Sequence, residues 1–151
     1  MRYRLYEQED FELLYAIEEA CFEPPFRFDR ALMHSLVRRA LGAAWIAEVD
    51  GRMAGFAIVA WTRRKERREA YIQTIEVLPG ERTRGVGRAL LSRCEGSARG
   101  AGAEVVWLHV AESNTAAIRL YESRGYLREG RLEDYYPAGG SAFILVKRLE
   151  G

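Results

Sequence analysis

Apolar and polar positions change period along the chain, and each change marks an element. Arg2 to Tyr6 reads as a first strand. Phe11, Leu14, Tyr15, Ile17 and Glu18 recur at three-to-four spacing, the signature of one helix face, and that helix should end near Cys21. Phe22-Glu23-Pro24-Pro25-Phe26-Arg27-Phe28 reads as a loop, because two prolines exclude continued helix. Asp29 offers an N-cap for a second helix through Leu41. Two strands follow, Ala44–Val49 and Arg52–Thr62, joined by Asp50-Gly51, a hairpin signal. Arg63 to Glu69 is a charged loop. A third long strand runs from Ala70 to Leu78 and stops at Pro79-Gly80. Gly85 to Gly100 is helical, with Leu90, Leu91, Cys94 and Ala98 inward. Then come a strand at Glu104–Ala111, a helix at Asn114–Arg124 closed by Gly125, and strands at Tyr126–Tyr135 and Ser141–Leu149. The order βααβββαβαββ predicts a mixed α/β fold, one layer of strands with helices on both faces.

No linker, repeat or low-complexity tract interrupts this pattern, and 151 residues suit one domain, residues 1–151, with one core. The 23 Lys and Arg against 22 Asp and Glu leave a charge of +1, a poor footprint for a nucleic-acid binder. Two cysteines, Cys21 and Cys94, are too few for a disulfide framework and read as small buried hydrophobes. The N-terminus has no apolar signal core, and the longest uncharged apolar run, Met53 to Trp61, is far short of the roughly 20 residues of a membrane helix. A cytoplasmic protein with no membrane partner is the expectation. No His, Cys and carboxylate cluster has metal-ligand spacing, so no metal is expected.

The most informative stretch runs from Val77 to Leu91: strand, turn, then a Gly-rich start to an amphipathic helix. Such a helix start points unpaired N–H groups outward, with the positive end of the helix dipole behind them. Gly85 and Gly87 let the backbone approach a bulky anion, and Arg82, Arg84 and Arg88 add charge, so the stretch reads as a pyrophosphate cradle. It is no P-loop, since no Gly-Lys-Ser/Thr follows. A dinucleotide fingerprint would need Gly or Ala at position 90, which is Leu90.

Arg82-x-x-Gly85-x-Gly87 instead resembles the acyl-CoA signature of the GNAT superfamily of acetyltransferases. A second motif, His109 to Tyr126, resembles the strand, Asn-led helix and Tyr of the same enzymes. Asn114 and Tyr121 are seven residues apart, about two turns, so they share a helix face. The resemblance is close from Tyr71 to Leu149; before residue 44 it is mainly one of element order. It implies the GNAT fold, a mostly antiparallel sheet with helices on both faces, and acetyl-CoA as co-substrate. Acetyl-CoA would be held by Ile75, Glu76, Val77, Arg82, Thr83, Arg84, Gly85, Val86, Gly87, Arg88, Asn114, Ala117 and Tyr121.

Transfer to an amine needs a neutral nucleophile, a donor for the oxyanion and a proton for the leaving thiolate. The resemblance places the oxyanion donor at backbone N–H near Ile75. Tyr121 is the candidate general acid, because a phenol of pKa about 10 can protonate a thiolate of parent pKa about 8.5. His34 and His109 are the two histidines, and His34 reads as a surface helix residue. The stretch from Leu108 to Pro137 resembles RimI-type ribosomal-protein alanine acetyltransferases, which usually carry Glu where this chain has His109. Leu108-His109-Val110 together with Tyr71-Ile72-Gln73-Thr74 resembles instead the N-terminal acetyltransferases that accept Met-starting N-termini. Tyr71 and His109 are therefore assigned as a base pair acting through water, against the alternative of an ordinary strand histidine. Glu76 is a fallback base, although alternation places it on the face opposite Tyr71.

By the same resemblance Pro25 and Phe26 flank the peptide's first residue, and Tyr135 and Tyr136 hold its backbone. The acceptor is then a protein or peptide N-terminal α-amine, ribosomal proteins included. Two alternatives stay open. One is a small-amine acetyltransferase for polyamines, amino acids or antibiotics. The other is a non-catalytic acyl-CoA-binding protein, or a subunit held to a ribosome or nucleic acid by the Arg63–Arg68 loop, although Glu66 and Glu69 make that loop read as a solvated hairpin tip. The acceptor's first residue and the oligomeric state are not encoded in any motif.

Overall fold

The computed structural model describes residues 1–62, 68–137 and 139–149. The elements are β1 (Arg2–Leu5), α1 (Phe11–Cys21), α2 (Arg30–Val37), β2 (Gly42–Val49), β3 (Arg52–Trp61), β4 (Glu69–Val77), α3 (Val86–Gly100), β5 (Val105–Ala111), α4 (Thr115–Ser123), β6 (Leu127–Leu132) and β7 (Ala142–Arg148). Their order is the one the periodicity predicts. The strands form one sheet in the order β1-β2-β3-β4-β5-β7-β6. Every neighbouring pair is antiparallel except β4 and β5, which α3 connects in parallel.

Alternation in the strands gives each face its own core. Ala44, Ile46, Phe56 and Ile58 pack under α1 and α2 with Phe11, Leu14 and Met33. Ala57, Val59, Ile72, Val106 and Leu108 pack under α3 and α4 with Leu90, Leu91, Cys94 and Tyr121. The hairpin at Asp50-Gly51 takes φ of 52° and 76°, the doubly left-handed turn that matches strand twist.

Three differences from the sequence pattern bear on the site. Helix α2 begins, as expected, with Asp29 accepting from Leu32 N at 2.7 Å, but stops at Val37 rather than Leu41. The Leu41 carbonyl accepts from Trp61 N and Gly42 pairs with Ala60, so the sheet draws the chain out of helical geometry early. Strand β6 stops at Leu132 rather than Tyr135, because Asp134 turns the chain at φ 49°. That turn takes Tyr135 and Tyr136 off the sheet. The charged run Arg63–Arg67 lies outside the described residues.

The third difference is in β4. Val59 pairs with Ile72, but Ile58 pairs with Thr74, so Gln73 is an extra residue in β4. Cross-strand partners share a face. Tyr71 lies opposite Ala60 and Glu76 opposite Phe56, two positions of even spacing on unbulged β3. The bulge therefore puts Tyr71, Thr74 and Glu76 on one face, the α1 face. This corrects the simple alternation that set Glu76 against Tyr71.

Candidate active site

β4 and β5 pair over only three residues each, Glu69–Tyr71 with Val105–Trp107. Beyond Tyr71 the two strands part, while β5 stays with β7 as far as Ala111. The parting leaves one side of β4 without a strand partner from the bulge onward. A cavity of about 950 Å³ opens there, lined by Thr74 and Ile75 of β4, His109 of β5 and Tyr121 of α4. Pro25 and Phe26 from the loop before α2, and Tyr135 and Tyr136 from the loop after β6, form its outer wall. The Phe26 and Tyr136 rings meet at 6.2 Å, so the two loops face each other across the mouth.

Just past β4 the chain turns into α3. Thr83 and Gly85 take left-handed φ of 66° and 82°, and no side chain caps the helix start. The first N–H groups of α3, from Val86 to Arg88, are thus left for an external acceptor. Gly87 serves packing as well: a Cβ there would meet the Leu120 side chain of α4 at 3.4 Å. Arg88 is exposed. Arg82 donates to the Val77 carbonyl at 3.0 Å, and Arg84 pairs with Glu81 at 2.8 Å, so these two arginines shape the turn. An uncapped helix start beside arginine guanidinium groups is a donor set that fits a pyrophosphate. Asn114 caps α4, its Oδ1 accepting from Ala117 N at 3.2 Å, and both residues line the cavity.

The aromatic group at the parting is the chemical centre. Tyr71 lies level with Trp107 across the parallel pair, and His109 follows Trp107 two residues on, so all three share a face. The Tyr71 hydroxyl sits 2.8 Å from His109 Nδ1. Tyr135 stacks on the imidazole at 4.6 Å and 19°, and Trp107 meets it edge-on at 5.1 Å. Burial holds the His109 pKa below its ordinary value, so the ring is neutral at pH 7. Burial, with Tyr135 and Tyr136 close by, pushes Tyr71 up to about 12. Tyr71 therefore stays a phenol, and its hydroxyl shares one hydrogen bond with Nδ1 whose direction follows the imidazole tautomer.

Tyr121 lies on the inward face of α4, buried, with its ring edge-on to Tyr126 at 5.6 Å. Burial raises its pKa, so it too stays protonated. Glu76 is almost fully buried, and its pKa stands well above the ordinary carboxylate range because of burial and the nearby Glu18 carboxyl. A carboxyl whose pKa is held that high tends to keep a proton rather than take one, which weighs against Glu76 as base. Sequence reasoning passed over Glu18 and Trp107 as site residues. Glu18 had a signal: it is a carboxylate in the buried stripe of α1 with Phe11, Leu14 and Tyr15. Trp107 had the two-residue spacing from His109.

Residues 5–126 match the sequence profile of the acetyltransferase (GNAT) family, and the chain belongs to that family. Among particular relatives, it is 34% identical over 128 residues to the N-alpha-acetyltransferase RimI of Mycobacterium tuberculosis, covering 85% of this chain and 76% of that one. It is 40% identical over 77 residues to the streptothricin acetyltransferase of Streptomyces lavendulae, which is 51% of this chain but only 40% of that enzyme. The crystal structure of the Escherichia coli ribosomal-protein-S18-alanine N-acetyltransferase superposes with a TM-score of 0.86 at 29% identity, covering 99% of this chain and 96% of that one.

Proposed function

We propose that this protein moves the acetyl group of acetyl-CoA to the α-amine of a protein or peptide N-terminus, by direct attack with both substrates bound. The observation that carries the reading is the 2.8 Å contact between the Tyr71 hydroxyl and His109 Nδ1 at the parting of β4 and β5.

Acetyl-CoA supplies the acetyl group as an activated thioester. Val86 to Arg88 N–H would hold its pyrophosphate, and Asn114 and Ala117 would flank its pantetheine arm. An α-amine must shed a proton to attack. The Tyr71 oxygen has lone pairs free to take that proton, directly or through water, while its own proton passes to His109 Nδ1. The imidazole, neutral beforehand, ends as imidazolium. Backbone N–H near Ile75, on the open side of β4, stabilises charge growing on the carbonyl oxygen, an effect typically of about 3–4 kcal/mol. Tyr121 gives its proton to the leaving sulfur.

The acceptor follows from proton affinity and from the wall. An α-amine has pKa about 7.7–8.0 and a lysine about 10.4, so at pH 7 the free base differs by about a few hundredfold. A neutral imidazole is base enough for the first. Prolines and phenylalanine opposite two tyrosines suit a peptide end. The 40% identity to a streptothricin acetyltransferase favours a small amine as the second reading. Against it, the carboxylates near the cavity are engaged: Glu112 accepts from Arg131 Nε at 2.9 Å, and Glu18 and Glu76 face each other.

The test is CoA release from acetyl-CoA with peptides of varied first residue, each beside an N-terminally blocked control that keeps an internal lysine. Transfer to free N-termini alone is the expected result. Transfer to streptothricin-like amines but to no peptide would overturn it in favour of the second reading.

A further inference from the structure

Two carboxyl groups that the reaction does not use lie buried behind the cavity. Glu18 of α1 is 0% exposed and Glu76 of β4 is 2% exposed. One oxygen of each is accounted for. Glu18 Oε2 accepts from the Phe28 backbone N–H at 2.9 Å, and Glu76 Oε2 accepts from the Thr74 hydroxyl at 2.8 Å. The other oxygen of each, Oε1, is buried and has no donor among the described residues. Helix α1 meets β4 here: Cys21, one turn beyond Glu18, sets its sulfur 3.6 Å from the Val77 carbonyl, next to Glu76, and the Glu18 carboxyl is among the groups that raise the Glu76 pKa. Cys21 is the other titratable group facing them; burial keeps it a thiol, and the nearby Arg82 is turned to that sulfur at 3.6 Å.

Two facing carboxylates without a cation cannot both stay charged in an apolar interior. One proton between the two Oε1 atoms would give both a partner. We infer that Glu18 and Glu76 hold a single shared proton, and that this bridge is a latch that positions the acceptor wall against strand β4. The chain of bonds is continuous. Phe28 closes the loop that carries Pro25 and Phe26, and its carbonyl also accepts from the Tyr15 hydroxyl at 2.8 Å. Its N–H hangs on Glu18, Glu18 on Glu76, and Glu76 on Thr74, next to the Gln73 bulge where β4 opens. Both carboxyls act as positioning residues. The inference rests on reading that loop as the acceptor wall.

Phe28 bonds to Glu18 and Tyr15, so substitutions at Glu76 test the latch one residue removed. Glu76→Gln places an amide N–H where the shared proton was; Glu76→Ala leaves Glu18 Oε1 unpartnered. Amide hydrogen exchange at Phe28 should accelerate at least about fivefold in Glu76→Ala, the loss of one modest hydrogen bond, and return towards the native rate in Glu76→Gln. Peptide KM should rise by a similar factor in Glu76→Ala and by more than acetyl-CoA KM, and Glu76→Gln should recover most of it. Infrared spectra of the native protein at pH 7 should show the carbonyl stretch of one protonated carboxylic acid, lost in Glu76→Gln.

Absence of that band in the native protein overturns the shared proton. Equal Phe28 exchange in the Ala and Gln variants overturns the latch. A Glu76→Gln variant that folds, binds acetyl-CoA and has lost kcat overturns both, since Glu76 would then be a base. The infrared and exchange readings need no turnover. If no peptide is acetylated but both hold, the function proposed above fails and the latch stands.

Discussion

Tyr71→Phe removes one oxygen and separates two roles for Tyr71. If Tyr71 only orients His109, the loss is one hydrogen bond. A neutral hydrogen bond contributes about 0.5–1.5 kcal/mol and one to a charged group about 1.5–3. The 2.8 Å bond gains strength as the imidazole charges, so orientation alone accounts for about 1–1.5 kcal/mol of barrier, roughly five- to thirteenfold in kcat. If Tyr71 oxygen is itself the proton acceptor, the loss is that of a general base, about 10²–10⁴-fold. The relay proposed here predicts the second range. His109→Ala should fall in the same range, and the double variant should be no worse than the worse single one, because the pair acts as a unit. The assay is steady-state CoA release with a good peptide across pH 5.5–9.5, with circular dichroism melts to confirm folding. Native kcat should rise through a midpoint below 6.5, since burial lowers His109 and only its unprotonated ring can receive a proton. Additive losses, or a Tyr71→Phe variant within about thirteenfold of native, would refute the relay and leave His109 as the base alone.

Tyr135→Ala should move that midpoint up towards 6.5, because it unstacks and rehydrates the imidazole; an unmoved acid limb in the kcat profile would count against the aromatic enclosure. Tyr121→Phe should lower kcat about 10²–10⁴-fold and leave peptide KM nearly unchanged, read by the same CoA release. Gly55→Ala would set a Cβ 2.5 Å from the Glu76 backbone carbonyl, a clash that backbone cannot relieve cheaply. About 1–3 kcal/mol of overpacking should drop Tm by roughly 2–12 °C in a melt. Glu95→Ala should cost about 3–5 kcal/mol in urea unfolding, because Glu95 accepts from the Tyr126 hydroxyl at 2.8 Å and from Lys147 at 3.0 Å and both would lose their partner.

What the residue pattern made legible, and what it did not, follows from how far each interaction reaches along the chain. Local rules carried the element order: apolar spacing in α1 and α3, Asp29 at the start of α2, Asp-Gly in the β2–β3 turn. The glycine turn before α3 is local too, and so is the shared face of Asn114 and Tyr121. The Tyr71–His109 pair was legible by a different route, through resemblance, since no local rule brings together residues 38 positions apart. The early stop of β6 at Asp134 is a local miss, and the other two are non-local. Helix α2 has the periodicity to continue past Val37, but the pairing of Leu41 and Gly42 with the end of β3 competes for the same backbone.

The Gln73 bulge is the miss with the largest chemical consequence. Strict alternation puts Glu76 on the far face, where it could serve as a separate base. One extra residue turns it to the Tyr71 face and drives it under α1, against Glu18. Burial there raises the Glu76 pKa and disfavours Glu76 as the acceptor of a proton. The same bulge lies where β4 leaves β5, so Thr74 and Ile75 just beyond it have an open side. A single insertion thus sets which face carries the acid–base chemistry, where the backbone is free for a thioester, and which carboxyl stays neutral. Deleting Gln73 should restore alternation and turn Thr74 and Glu76 into the opposite core, among Val59 and Leu108. That core is apolar apart from Tyr121 and Tyr126 and would have to bury a further carboxyl, so the deletion should abolish turnover together with the cooperative melt, whereas Gln73→Ala, which keeps the register, should preserve the melt.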